Sequence, residues 1–130
     1  MEVLHISPTE KTPEIVFDPK GLFKIKGRAI DESRTAYPEN IMNWLSTYTA
    51  NPADSTEVII ALEYLNSFNT LIISNILKKI AEVKLRSKRL FIKWYIEADD
   101  EDLSERAESI SSSFNLPISV ELVNNIKSHY

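Results

Sequence analysis

The sequence contains no cysteine, only two glycines and only two histidines in 130 residues. Without cysteine the chain can form no disulfide, no thiolate nucleophile and no cysteine-ligated zinc site, which fits a reducing compartment. With glycine only at Gly21 and Gly27, neither a GxGxxG nor a GxxxxGK[ST] phosphate-binding loop is present. These absences exclude thiol-based catalysis and the glycine-rich nucleotide-binding loops.

The two histidines, His5 and His129, lie near the two ends of the sequence, and neither has a second ligand at metal-site spacing. A Ser-His-Asp triad would have to use one of them. Catalytic histidines are normally held in place by packed neighbours, which chain termini seldom provide. We therefore predict a protein that is not an enzyme, with no catalytic residue, no metal and no cofactor.

Long apolar runs are also missing. No segment approaches the roughly 20 residues that span a membrane, and the N-terminal MEVLHISPTEK lacks the basic-then-apolar order of a signal peptide. The net charge is −4 and the pI about 5.2, so a nucleic-acid-binding surface is not expected. The 43% hydrophobic and 26% charged residues are typical of one globular domain, which we assign to residues 1–130. We expect a cytoplasmic protein that binds neither nucleic acid nor membranes.

Apolar residues follow strand spacing and helix spacing in turn along the chain. The predicted strands are 14–17, 22–26, 58–65, 90–96 and 118–122, and the predicted helices are 39–50, 67–86 and 100–114. The order β-β-α-β-α-β-α-β predicts a single α/β domain with a mixed five-stranded sheet and three helices. The nearly unbroken apolar run from Val58 to Leu65 predicts a central strand that is covered on both faces.

The polar segment YLNSFNT, residues 64–70, follows this central strand and opens the second predicted helix. Asn66 or Ser67 is suited to cap that helix. A hydroxyl at the carboxyl end of a central strand also lies where open α/β sheets place their sites, and a phosphate there would meet free N–H groups. These seven residues by themselves leave both roles open, a helix cap or a phosphorylation site.

Four short motifs are spread in order over the chain. They are His5-Ile6 with Thr9, Thr12-Pro13 and Ile15; Tyr37-Pro38-Glu39-Asn40 followed by Trp44; Tyr64-Leu65-Asn66-Ser67; and Trp94-Tyr95. Each motif is weak alone. Together they resemble the N-terminal segment, the YPEN motif, the YLN[ST] motif and the fourth-strand signature of the SiaC family of bacterial regulatory phosphoproteins. That family has a fold similar to the anti-sigma-factor antagonist (STAS) domain.

The resemblance implies a partner-switching function. In such proteins a cognate kinase phosphorylates the hydroxyl after YLN, and a PPM-type serine/threonine phosphatase removes the phosphate. The unmodified protein binds and activates an effector, a diguanylate cyclase, which links the switch to cyclic-di-GMP signalling and biofilm behaviour. Carried over to this sequence, the phosphoacceptor is Ser67, and we assign the partner-binding surface to Tyr64, Leu65, Asn66, Phe68, Asn69 and Thr70.

Two positions depart from the family pattern. Ser67 stands where threonine is also found, and both residues can be phosphorylated. Phe68 is an aromatic residue where a small polar one could stand, which could alter the kinase or target that docks. The alternative hypothesis is a constitutive protein–protein interaction adaptor in which Ser67 is only a helix cap.

Overall fold

A computed structural model describes residues 1–33 and 37–130 of the chain. These residues form six strands, three α-helices and two short 3-10 segments. The strands are β1 (Leu4–Ile6), β2 (Glu14–Asp18), β3 (Leu22–Ala29), β4 (Ser55–Leu65), β5 (Arg89–Glu97) and β6 (Ile118–Val123). The α-helices are α1 (Asn40–Ala50), α2 (Ser67–Ile80) and α3 (Glu101–Phe114), and the 3-10 segments are Ala81–Arg86 and Ile126–His129.

The strands form one mixed sheet in the order β1-β2-β3-β4-β5-β6. The pairs β1–β2 and β2–β3 are antiparallel, and β3 to β6 run parallel. The predicted mixed sheet is confirmed, but the predicted strand number of five is wrong. The missed strand is β1, whose Leu4 pairs with Phe17 and whose Ile6 pairs with Ile15. Three residues are too few to show alternation, so only the pairing with β2 defines this strand.

The helices lie on one face of the sheet. The crossovers β3-α1-β4, β4-α2-β5 and β5-α3-β6 all step in the same direction along the sheet. Right-handed crossovers that step in one direction place their helices on the same face. Alternate strand residues such as Val58, Ile60 and Trp94 are fully buried in the core cluster that forms against these helices.

The prediction that β4 is a central strand is correct, but the prediction that both of its faces are covered is wrong. β4 lies between β3 and β5, so it is central, but among the residues that the structure describes no α-helix covers its second face. On that face Ala61 is buried whereas Ile59 is only half-buried. The cover there is the 3-10 segment Ile126–His129, whose His129 ring stacks on Tyr95 at 4.4 Å between centroids. We call this second face, opposite the helices, the open face.

The predicted helices 39–50 and 100–114 agree with α1 and α3 to within a residue. The predicted helix 67–86 is too long, because α2 ends at Ile80 and continues as the 3-10 segment Ala81–Arg86. Ile80 and Val83 are both buried, and their i,i+3 spacing fits an α-helix and a 3-10 helix equally well. Within the described ranges, no helix has the length and apolar character needed to cross a membrane.

Candidate functional site

The segment that carries the YLNS motif is the junction between β4 and α2. Asn66 has an extended backbone (φ −89°, ψ 176°) and is the N-cap of α2, and Ser67 is the first helical residue. The Asn66 side-chain oxygen Oδ1 accepts a hydrogen bond from the backbone N–H of Asn69 at 2.9 Å. Asn66 therefore caps the helix, and Ser67 does not.

The side chains of Asn66 and Asn69 tie this junction to the loop that follows β3. Asn66 Nδ2 donates to the Ile30 carbonyl at 2.9 Å. Asn69 Nδ2 donates to the Asp31 carbonyl at 2.9 Å and to Asn66 Oδ1 at 2.7 Å. Asn69 is completely buried, and buried amides are costly unless their polar atoms are paired. The bonds that Asn69 Nδ2 donates therefore tie the start of α2 to the loop that follows β3.

Tyr37 completes this network and joins the two sequence motifs. Its hydroxyl donates to Asn69 Oδ1 at 2.7 Å, so the tyrosine of YPEN contacts the helix opened by YLNS. Burial, and secondarily the negative charge of Asp31, raise the pKa of the Tyr37 phenol well above its usual value. The phenol therefore stays protonated and remains a donor throughout the physiological pH range. We call Tyr37, Asn66 and Asn69 the Asn platform.

Ser67 lies on top of the Asn platform, and its side chain is exposed. Its Oγ accepts a long contact from Arg106 Nη1 of α3 at 3.4 Å. Within residues 1–33 and 37–130, this is the one hydrogen bond recorded for the Ser67 hydroxyl. The hydroxyl therefore has no role in capping and is accessible from solvent.

Thr70, the second hydroxyl of the segment, lies in a different environment. It is half-buried, and its Oγ1 donates to the Asn66 carbonyl at 2.7 Å and accepts from Arg106 Nη1 at 3.2 Å. A hydroxyl that bonds the carbonyl four residues back is turned along its own helix. Of the two hydroxyls, Ser67 is therefore the more accessible to another protein.

The residues assigned to the partner-binding surface are not equally accessible. Tyr64 is 48% exposed, and its ring lies under the Arg28 guanidinium, 4.8 Å from the ring centroid. Leu65, Asn66, Phe68 and Thr70 are half-buried. Asn69 is buried and therefore supports the surface from beneath, which corrects its assignment as a direct contact.

Sequence reasoning overlooked one exposed apolar residue and one cation at this site. Leu71 is 62% exposed and lies one helical turn after Ser67, on the same side of α2. The four-residue spacing from Ser67 could have predicted that Leu71 lies on the same side of the helix. Arg106 reaches Ser67 across 39 positions of sequence, and no local pattern connects the two.

The histidines and acidic residues form no metal centre in the described part of the chain. No group of three or more histidine, cysteine, aspartate or glutamate side chains converges there in a way that could hold an ion. His5 hydrogen-bonds Glu14 at 3.0 Å in an exposed position, at the far edge of the sheet from α3. The site therefore combines the exposed Ser67 hydroxyl with apolar side chains, the Asn platform and the guanidinium groups of Arg28 and Arg106.

Similarity to known proteins is consistent over nearly the whole chain. An uncharacterised protein of Pseudomonas aeruginosa strain UCBPP-PA14 is 23% identical over 122 residues, which cover 93% of this chain and 97% of the relative. The structure of SiaC of Pseudomonas aeruginosa superposes with a TM-score of 0.80 at 22% identity, covering 95% of this chain and all of that one. The crystal structure of apo-SiaC from the same species gives 0.73 at 24% identity, covering 93% and 99%.

A further solved structure is the diguanylate cyclase SiaD of Pseudomonas aeruginosa in complex with its activator SiaC. One chain of this complex matches with a TM-score of 0.74 at 23% identity, and the match covers 92% of this chain and 99% of that one. At these identities the structural likeness establishes the fold. The sequence also matches the SiaC family of regulatory phosphoproteins over residues 6–123, which include the Asn platform, Ser67 and Arg106. This chain belongs to the SiaC family of regulatory phosphoproteins.

Proposed function

We propose that this protein is the switching component of a cytoplasmic signalling module and that Ser67 is its phosphoacceptor. A cognate kinase adds the phosphate, and a PPM-type serine/threonine phosphatase removes it. The observation that supports this role most directly is that the Ser67 hydroxyl is exposed while Asn66 caps the helix. The description of the family as regulatory phosphoproteins is a second, independent support.

A phosphate on Ser67 is compatible with the fold. Ser67 is the first residue of α2, where the first N–H groups of a helix have no intrahelical acceptor and can meet an anion, although the Asn69 N–H is already bonded to Asn66. The Asn platform holds the helix through Asn66, Asn69 and Tyr37, none of which bonds the Ser67 hydroxyl. The modification therefore adds up to about two negative charges to the surface without breaking the contacts beneath it.

The unmodified protein binds its effector through the surface around Ser67. Tyr64 and Leu71 are exposed and lie within four positions of Ser67 in the sequence, and the adjacent Phe68 is half-buried. Half-buried Leu65, Asn66 and Thr70 contribute the rim. A phosphate in the centre of such an apolar contact would lose its hydration, so phosphorylation weakens effector binding. The effector class we propose is a diguanylate cyclase, because the related SiaC of Pseudomonas aeruginosa is the activator of SiaD.

Mass spectrometry of the protein purified from its native host tests the acceptor assignment. We expect one phosphoryl group on the peptide that contains Ser67, and none in the Ser67→Ala variant. Thr70→Ala is the matched control, because it removes the neighbouring hydroxyl and should keep the modification. Phosphate retained in Ser67→Ala and lost in Thr70→Ala would assign the acceptor to Thr70 instead.

Titration against the diguanylate cyclases of the same genome tests the binding surface, with cyclic-di-GMP production as a second measurement. Ser67→Asp should weaken binding, although it carries about half the charge of a phosphate. Phe68→Ala should weaken it through lost apolar contact, whereas Phe91→Ala, a 56% exposed ring on the open face, should not. Each variant is checked for folding by circular dichroism. Equal affinities for all proteins would place the binding surface elsewhere.

The alternative is a constitutive adaptor that binds its partner without modification. Unmodified protein in the host under all growth conditions, together with partner binding that Ser67→Asp leaves unchanged, would favour it. The similarity of the fold to the STAS domain, expected from the family resemblance, stays a prediction.

A further inference from the structure

Arg106 is a cation whose position in the site is not explained by the unmodified protein. It lies on α3, and its Nη1 points to the two hydroxyls at the start of α2, Thr70 Oγ1 at 3.2 Å and Ser67 Oγ at 3.4 Å. Both contacts are at the long end of the hydrogen-bond range, and both acceptors are neutral. No acidic side chain in residues 1–33 and 37–130 forms an ion pair with it.

The neighbouring cations on α2 have partners away from Ser67. The Lys79 ammonium pairs with Glu82 at 3.0 Å, and the Lys78 ammonium lies over the Phe114 ring at 4.6 Å from its centroid. Lys78 is eleven positions after Ser67, which is roughly 16 Å along the helix. Arg106 therefore contacts Ser67 and has no anionic partner in the described part of the chain.

We propose that Arg106 is the receptor for the phosphoryl group on Ser67. This inference rests on the proposed function of Ser67 as phosphoacceptor. A guanidinium presents several N–H donors in a planar fork that matches two phosphate oxygens, and such charge-assisted bonds are shorter and stronger than bonds to neutral hydroxyls. The phosphoryl oxygens extend beyond Oγ into the space that the guanidinium already borders. Arg106 thus exchanges two long contacts for a bidentate ion pair when Ser67 is modified.

This pairing has two consequences for the switch. It holds the phosphate in one orientation against α3, so the modified state links α2 to α3 through an ion pair that the unmodified state lacks. It also has to be broken before a phosphatase can act, so removal of Arg106 exposes the phosphate. We therefore expect phosphorylated Arg106→Gln to be dephosphorylated several-fold faster than the phosphorylated wild-type protein by the same phosphatase.

The direct test is a ³¹P NMR titration of full-length protein with phosphoserine incorporated at position 67 during synthesis. The second pKa of phosphoserine is ordinarily about 6, and a paired guanidinium should lower it by about one pH unit relative to Arg106→Gln. Arg106→Lys should give an intermediate value, because it keeps the charge and loses the fork. Lys78→Gln is the matched control for the loss of one positive charge and should leave the phosphate pKa unchanged.

Identical phosphate pKa values in the wild type and in Arg106→Gln would overturn the inference, and so would an equal change in Lys78→Gln. If Arg106→Gln fails to fold by circular dichroism, Arg106→Lys provides the comparison with the wild type. Because the phosphoserine is installed without a kinase, this result does not depend on whether the host modifies Ser67. If the host phosphorylates Ser67 but the phosphate pKa is the same with and without Arg106, only the role of Arg106 is refuted. If the host does not phosphorylate Ser67, the proposed function is refuted.

Discussion

The assignment of the helix cap to Asn66 predicts that two adjacent polar residues differ sharply in their effect on stability. Asn66→Ala removes the cap on the Asn69 N–H, which is typically worth about 1 kcal/mol. It also removes the donor to the Ile30 carbonyl and one of the two acceptors of Asn69 Nδ2, each costing about 1 kcal/mol when a partly buried group loses its partner. The expected loss of unfolding free energy is therefore about 2–4 kcal/mol.

Ser67→Ala should change the unfolding free energy by less than about 0.5 kcal/mol, because its hydroxyl is exposed and alanine is a good helix former. Asn66→Asp separates the two roles of Asn66. Aspartate caps as well as asparagine but cannot donate to Ile30, so its cost should lie between those of the two alanine variants.

Urea unfolding followed by tryptophan fluorescence measures these differences, with buried Trp94 and half-buried Trp44 as reporters. For a urea slope of about 2 kcal/mol per molar, Asn66→Ala should lower the midpoint by roughly 1–2 M. Ser67→Ala should leave the midpoint nearly unchanged. A larger loss in Ser67→Ala than in Asn66→Ala would refute the assignment of the cap and, with it, the main support for Ser67 as a free acceptor.

Two further predictions concern the Asn platform and the glycines. Tyr37→Phe should lower stability by about 1–2 kcal/mol at neutral pH, because it leaves buried Asn69 Oδ1 unpaired. Because burial raises the pKa of Tyr37, the folded protein binds the phenol proton more tightly than the unfolded chain does. The stability that this proton contributes is complete below about pH 10 and is lost at higher pH. The difference in unfolding free energy between the wild type and Tyr37→Phe should therefore narrow by roughly 1 kcal/mol per pH unit above that pH. If urea titrations at alkaline pH show a constant difference in unfolding free energy between the wild type and Tyr37→Phe, the burial of the phenol is contradicted. Gly21→Ala should cost at least about 3 kcal/mol, because φ is +106° and the new Cβ would overlap the Ser55 carbonyl oxygen. Gly27→Ala, with φ +120° and no contact closer than 3.6 Å, should cost only about 1–2 kcal/mol, and equal losses would rule out the steric difference.

The sequence allowed the helices, the central position of β4 and the family to be predicted, because these depend on local patterns. Apolar spacing places α1 and α3, and the uniform apolar run marks β4. β1 was missed because three residues carry no periodicity, and the open face was missed because it depends on the direction in which the crossovers step. Local pattern therefore determines the elements, and chain connectivity determines which faces they cover.

The site was predicted in part for the same reason. The YLNS motif pointed to Ser67, but the choice between Asn66 and Ser67 as the cap required the backbone of Asn66. The Tyr37–Asn69 hydrogen bond joins residues 32 positions apart, and Arg106 contacts Thr70 and Ser67 from 36 and 39 positions away. Contacts over such distances in sequence cannot be predicted from a local apolar pattern. Apolar spacing places Arg106 beside the buried stripe of α3, but only the topology brings that stripe next to the start of α2.

The Asn platform also bears on how the proposed modification of Ser67 would act in so small a domain. The hydrogen bonds that define the start of α2 come from Asn66, Asn69 and Tyr37, and they all lie beneath the surface. A group added to Ser67 changes the charge and shape of the surface while these bonds stay intact. The phosphorylated and unmodified proteins would then share one fold and differ at the contact surface itself, so the change in partner affinity comes from direct obstruction and from the pairing of Arg106. A switch of this kind would require no unfolding, and it would depend on the first turn of α2 and on Arg106 of α3, which contacts that turn.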